Sequence, residues 1–174
     1  MGNIGRGRNR IPSTRRRGLS GQVISLIDHP FDAADALRDF ETRAVGAGAI
    51  ASFTGLVRGT GKMGIVKTLH LQAFDPLTER GIIAAIGEAK MRWPLSDQTV
   101  IHRTGDLVPG EPIVFVATAS AHRRAALEAV DYLMDYLKTE AVFWKKETTA
   151  TGAHWIEPRP EDYTDRNRWS KTGE

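Results

Sequence analysis

Ile113-Val114-Phe115-Val116-Ala117-Thr118-Ala119 is an almost continuous apolar run, and Ser120-Ala121-His122-Arg123 follows it directly. Such a run reads as a buried strand. Ser120 stands where it can cap the longest helix of the chain, from Ala121 to about Thr139. Leu127, Val130, Leu133, Met134 and Leu137 recur at helical spacing and are the expected core stripe of that helix. A buried strand feeding a long amphipathic helix is thus the centre of the fold.

The elements on either side follow from the same periodicities. Toward the N-terminus, Val23 to Ile27 reads as a strand, and Asp32 caps a helix to about Ala44 with Ala36, Leu37 and Phe40 on one face. Ala49 to Val57 is a strand with Ile50 and Phe53 as core candidates. Arg58 to Gly64 is a glycine-rich loop. Ile65 to Phe74 alternates and is expected to pair with the strand before it. Pro76 opens a helix that Pro94 stops after Trp93. Thr99 to Arg103 is a strand, and Val108-Pro109-Gly110-Glu111 a turn. Toward the C-terminus, Val142–Glu147 and His154–Glu157 form a hairpin. This order predicts an α+β fold with a mixed or antiparallel sheet, in a single domain over residues 21–174.

Composition narrows the function. The balance of 41% hydrophobic and 26% charged residues is that of a soluble globular protein. No apolar run approaches the roughly 18 residues that span a bilayer, and the N-terminus lacks the apolar stretch of a secretory signal. There is no cysteine, which excludes disulfides, thiolate nucleophiles and cysteine-based metal or cluster sites. The net charge of +3 is unevenly placed. Arg6, Arg8, Arg10, Arg15, Arg16 and Arg17 give residues 1–27 a charge of +6, leaving −3 for residues 28–174. Residues 1–20 are therefore read as a disordered, Arg-rich tail, with an organelle transit peptide as the weaker reading. Nucleic-acid binding would belong to that tail, not to the fold, and is not expected of the domain.

Basic residues inside the fold mark the candidate site: Arg58, His122, Arg123, Lys138, Lys145 and Arg159. His122 and Arg123 open the long helix, whose unpaired N–H groups and positive dipole end favour an anion there. The alternative is side chains reaching into solvent or onto a carboxylate. Lys138 and Lys145 are flanked by Tyr136, Phe143 and Trp144. A lysine desolvated by aromatics and beside another cation becomes a neutral base or nucleophile. A lysine whose stem merely covers an aromatic has the same neighbours. The five histidines show no metal-ligand spacing, so no metal is expected.

Six segments in register carry a resemblance. They are Phe53-Thr54-Gly55-Leu56-Val57-Arg58, Val100-Ile101-His102-Arg103-Thr104-Gly105, Ser120-Ala121-His122-Arg123, Met134-Asp135-Tyr136-Leu137-Lys138-Thr139, Phe143-Trp144-Lys145-Lys146-Glu147 and Trp155-Ile156-Glu157-Pro158-Arg159. From about Val23 to Trp169 the chain resembles the large, catalytic subunit of molybdopterin synthase. The resemblance implies an α/β-hammerhead-type fold and a cytoplasmic sulfurtransferase of molybdenum cofactor biosynthesis. It implies a homodimer at the core of a heterotetramer. The partner is a small ubiquitin-like sulfur carrier whose C-terminal Gly-Gly ends in a thiocarboxylate. Two sulfur transfers would turn cyclic pyranopterin monophosphate into the dithiolene of molybdopterin, with no further cofactor. Carried over residue by residue, Lys138 and Lys145 are the catalytic candidates. Arg58, His122, Arg123 and Arg159, with both lysines, are the substrate-binding candidates, some of them supplied across the dimer. The lack of cysteine fits, because the sulfur arrives on the partner.

Overall fold

The computed structural model describes residues 16–18, 22–141 and 143–170. Of the segment expected to be a disordered tail, only Arg16–Gly18 is described. It forms a short strand, β1, paired with β2 (Gln22–Ile27). The rest of that expectation, and Val142, lie outside the described residues.

The apolar run that opened the sequence reading is β9 (Pro112–Ser120), inside a five-stranded sheet. The other members are β3 (Ala49–Leu56) and β7 (Leu95–Arg103), in the order β1-β2-β7-β9-β3. The β2–β7 pair is parallel and the rest antiparallel, so the sheet is mixed. Side chains alternate across a strand, and both faces of β9 are buried. Val114 and Val116 pack under α2 (Leu77–Arg92) and α3 (Arg123–Thr139), against Ile82, Ile86, Ala126, Val130 and Leu133. Phe115, Ala117 and Ala119 pack under α1 (Ala33–Arg43), against Phe31, Ala36 and Phe40. Cover on both faces is why β9 carries no polar alternation. Asp32 caps α1 as expected, its carboxylate accepting from the N–H groups of Ala34 and Asp35.

A second, antiparallel sheet has the order β11-β10-β6-β8, from β6 (Thr68–Ala73), β8 (Gly105–Leu107), β10 (Phe143–Thr149) and β11 (Gly152–Ile156). The hairpin of β10 and β11 is the expected one. A small hairpin, β4 (Thr60–Gly61) with β5 (Gly64–Ile65), fills the glycine-rich loop. The chain closes with α4 (Pro160–Asn167) and a 3-10 turn, Arg168–Ser170. Among the described residues no helix is long and apolar enough to cross a membrane.

Four local expectations are corrected. The strand near residues 65–74 does not pair with β3; β6 pairs with β10 and β8 in the other sheet, and among the described residues β3 pairs only with β9. Alternation fixes a strand's faces but says nothing about its partner. Ile50 and Phe53 are 38% and 41% exposed, because β3 is an edge strand. Leu127 is 60% exposed, and the core of α3 is completed instead by Ala126, Ala129 and Tyr132. Ser120 ends β9 and its hydroxyl donates to the Pro94 carbonyl, so the residue at the N-cap of α3 is His122.

Candidate functional site: a cationic cleft between the two sheets

The last turn of α3, the middle of β10, the end of β3 and the start of α4 converge on one cleft of about 400 Å³. Its walls include Phe53, Leu56, Leu137 and Ile156, and its cations are Arg58, Lys138, Lys145 and Arg159. Each cation is placed by backbone structure. Arg58 follows β3, where Val57 is clamped on both sides: its N–H donates to Glu111 O at 2.9 Å, and its carbonyl accepts from the Gly110 N–H at 2.9 Å. Lys138 occupies the last turn of α3, where the helix dipole favours a cation. Lys145 sits on β10 opposite Leu71 of β6, on the same face as Phe143 and Glu147. Arg159 is the N-cap residue of α4.

Lys145 is half-buried. Burial pushes its ammonium below the usual lysine range, and the charge of Lys138 adds to the effect while Asp162 opposes it. Asp162 is itself buried, at 8% exposure. One of its carboxylate oxygens accepts from the Arg159 N–H at 2.9 Å; the other accepts from the Arg159 guanidinium and from Lys138 Nζ, each at 3.3 Å. Burial alone would raise the Asp162 carboxyl. The Arg159 hydrogen bonds and the Lys138 charge outweigh it and hold it below the ordinary carboxylate value.

His102 forms part of the floor. It stacks on Phe143 with ring centroids 3.9 Å apart and is 3% exposed. Burial pushes it down to about 4, the Lys145 charge in the same direction, against a raising contribution from the Arg103 carbonyl. The neutral ring donates Nδ1–H to that carbonyl at 2.8 Å, which leaves Nε2 as an acceptor. Glu147 also lines the cleft, and its carboxylate lies against Gly61 of the β4–β5 hairpin. A Cβ at Gly61 would run into that carboxylate, so the glycine lets the hairpin close down on β10.

His122 and Arg123 are not brought into this cleft. They are exposed at the N-terminus of α3, and Lys138 is in its last turn. At 1.5 Å per residue the two ends are about 24 Å apart. Both remain at a helix N-terminus, as expected, but on one chain they cannot share an anion with the lysines. Arg58, Lys138, Lys145 and Arg159 are the sequence-predicted residues that meet in this cleft; His102, Glu147 and Asp162 join them without being predictable as site residues from their motifs. Asp162 had a local signal: Pro160 stands at the first position of a helix, and Asp162 at the third, where a carboxylate can accept from the N-cap backbone N–H. The neutrality of His102 had none, since it comes from packing by Phe143.

Chemically, cations on half-apolar walls suit an anionic ligand. Guanidinium groups offer a planar fork to phosphate or carboxylate, and a depressed lysine can exchange a proton. The described residues fit a family model for MoaE protein over residues 26–140. The chain belongs to the MoaE family. It is 44% identical over 149 residues to a molybdopterin synthase catalytic subunit of Caulobacter vibrioides, covering 86% of this chain and 98% of that protein. The subunit of the same name from Cereibacter sphaeroides is 47% identical over 140 residues, covering 80% and 94%. A solved structure, a molybdopterin biosynthesis MoaE protein from Burkholderia ambifaria, superposes with a TM-score of 0.72 at 36% identity, covering 88% of this chain and 99% of that one. The MoaE match includes Arg58, His102, His122, Arg123 and Lys138; Lys145, Arg159 and Asp162 lie beyond its end.

Proposed function

We propose that this MoaE-family chain is the catalytic subunit of a cytoplasmic molybdopterin synthase. It takes sulfur from the C-terminal thiocarboxylate of a small ubiquitin-like carrier and delivers it to cyclic pyranopterin monophosphate. The observation that carries the reading is the cleft itself: two lysines from different elements, one of them held below its usual range, beside two arginines. A chain without cysteine cannot carry a persulfide, so a sulfurtransferase of this kind needs a donor that brings its own sulfur.

The roles follow from position. The Gly-Gly tail of the carrier is narrow enough to enter between Phe53, Leu56 and Ile156, and Lys138 receives its anionic end. In each transfer the thiocarboxylate sulfur attacks a carbon of the pterin side chain and displaces an oxygen: in one the ester oxygen of the cyclic phosphate, which opens that ring, and in the other a hydroxyl, which leaves as water. Water then cleaves the bond between that sulfur and the acyl carbon, and the carrier leaves as a carboxylate. Opening of the cyclic phosphate and attack by sulfur both build negative charge, which preorganised cations in a water-poor cleft stabilise. Lys145 moves the proton, and Arg58 and Arg159 hold the phosphate.

The second subunit has a place in this scheme. β3 is an edge strand with exposed Ile50, Phe53 and Leu56. Its Leu56 end borders the cleft, and its Ala49 end pairs with Ser120, next to His122. Two copies of β3 paired antiparallel about a twofold axis set the Ala49 end of one against the Leu56 end of the other. His122 of the partner subunit and Arg123 of the partner subunit then approach the cleft that they cannot reach on their own chain.

The test is reconstitution from purified protein, thiocarboxylated carrier and cyclic pyranopterin monophosphate, reading the sulfur content of the pterin. The expected product carries two sulfurs per pterin. Carrier that binds without sulfur reaching the pterin would contradict the proposal.

A further inference from the structure

Asp162 does more than its place in α4 requires. As the third residue of that helix it reaches back to the N-cap, its carboxylate accepting from the Arg159 N–H. Accepting from the N-cap backbone uses one oxygen, which an asparagine side chain could also supply, and the helix dipole gives the charge only a modest further use. Here the second oxygen is shared by two cations, the Arg159 guanidinium and Lys138 Nζ, and the charged group is buried at 8% exposure. A buried carboxylate is costly unless cations match it.

We propose that Asp162 is the positioning residue of the cleft: it holds Lys138 at the wall and sets the ionisation of the Lys138–Lys145 pair. The inference rests on the reading of the cleft as a sulfur-transfer site.

The surroundings explain why such a residue is needed. Facing the pair are Arg58 after β3, His102 on β7, Glu147 on β10, and Glu157 and Arg159 after β11. Glu140, at the end of α3, is engaged by Arg166 of α4. His102 is uncharged at neutral pH. The cations thus crowd one wall, and each ammonium raises the cost of the other. The Lys138 side chain is 41% exposed, so solvent is open to it if nothing holds it back. Asp162 supplies the opposing charge to both lysines: directly to Lys138, and through space to Lys145. Removing that charge lowers the proton affinity of both amines, whichever of them acts as acid or base.

The experiment compares the native chain with Asp162→Asn, which keeps an acceptor for the Arg159 N–H, and with Asp162→Glu, which keeps the charge. The first readout is the side-chain NMR titration of Lys138 and Lys145, which needs no turnover. Asp162→Asn is expected to move both titrations to lower pH, the effect of losing a nearby opposite charge, and Asp162→Glu to restore them. Unchanged lysine titrations in folded Asp162→Asn would overturn the proposal. If the Asn variant does not fold, the native chain decides. The Lys138 Nζ signal is expected to follow the ionisation of Asp162 below the ordinary 3.8, and a flat signal there would equally overturn it. The second readout is the pH profile of sulfur transfer, whose lysine-dependent limb is expected to move with the titrations. Native protein that transfers no sulfur at any pH sinks the sulfur-transfer reading, while the titrations still judge Asp162.

Discussion

His102 shows how a single residue can be tuned by its neighbours. Its ring lies against Phe143, out of water and near Lys145, and its proton affinity falls to about 4. In the unfolded chain the same imidazole titrates near 6.5. Between those values the unfolded state binds a proton that the folded state refuses. Stability therefore falls as the pH drops from about 6.5 to about 4, by about 3 kcal/mol across the whole window. Urea unfolding at pH 7 and pH 4 should show that loss in the native chain, over and above what His102→Gln loses. Equal losses in the two proteins would mean that His102 titrates normally. The neutral ring also keeps one more cation away from Lys138 and Lys145, so its burial serves the electrostatics of the cleft as well as the packing.

At the scale of the element, β3 carries two duties at its two ends. Its C-terminal end delivers Arg58 to the cleft, and its edge leaves Ile50, Phe53 and Leu56 exposed, where the proposed dimer would place a second copy. Ile50 lies outside the cleft lining and is already 38% exposed, so Ile50→Glu should leave the fold intact. The expected outcome is a monomer by analytical ultracentrifugation, with turnover down at least about 100-fold for want of the partner's cations. A dimer with full turnover would contradict the β3 pairing. This strand also marks the limit of what the sequence made legible. The presence of β3, α1, α3, β9 and the β10–β11 hairpin follows from local periodicity and capping, as with Asp32 at the start of α1. Which strand pairs with which does not, because β6 joins β10, whose residues come 70 to 80 positions later in the chain. Ile50, Phe53 and Leu127 read as core since an apolar residue at the right spacing looks the same whether it faces its own core or an open edge. The short β8 and the helix α4 were missed for a related reason. The polar sequence of α4 has only a faint apolar face, and its docking depends on contacts such as those of Arg168 and Trp169 with Asp135.

For the molecule as a whole, the two sheets and the helices over them bring the end of α3 and the face of β10 to one place. Lys138 and Lys145 are seven residues apart in the chain, and only the turn out of α3 into β10 sets both on one cleft wall. Sequence spacing alone did not decide between surface lysines and a reactive pair; the shared cleft and the lowered Lys145 favour the pair. The measurement that tests this most directly is single-turnover sulfur transfer by Lys138→Ala and Lys145→Ala, each with saturating thiocarboxylated carrier and cyclic pyranopterin monophosphate. The account predicts folded variants that still bind the carrier and transfer sulfur at least about 100-fold more slowly, the usual loss on removing a positioned acid or base. Native rates in both variants would contradict it.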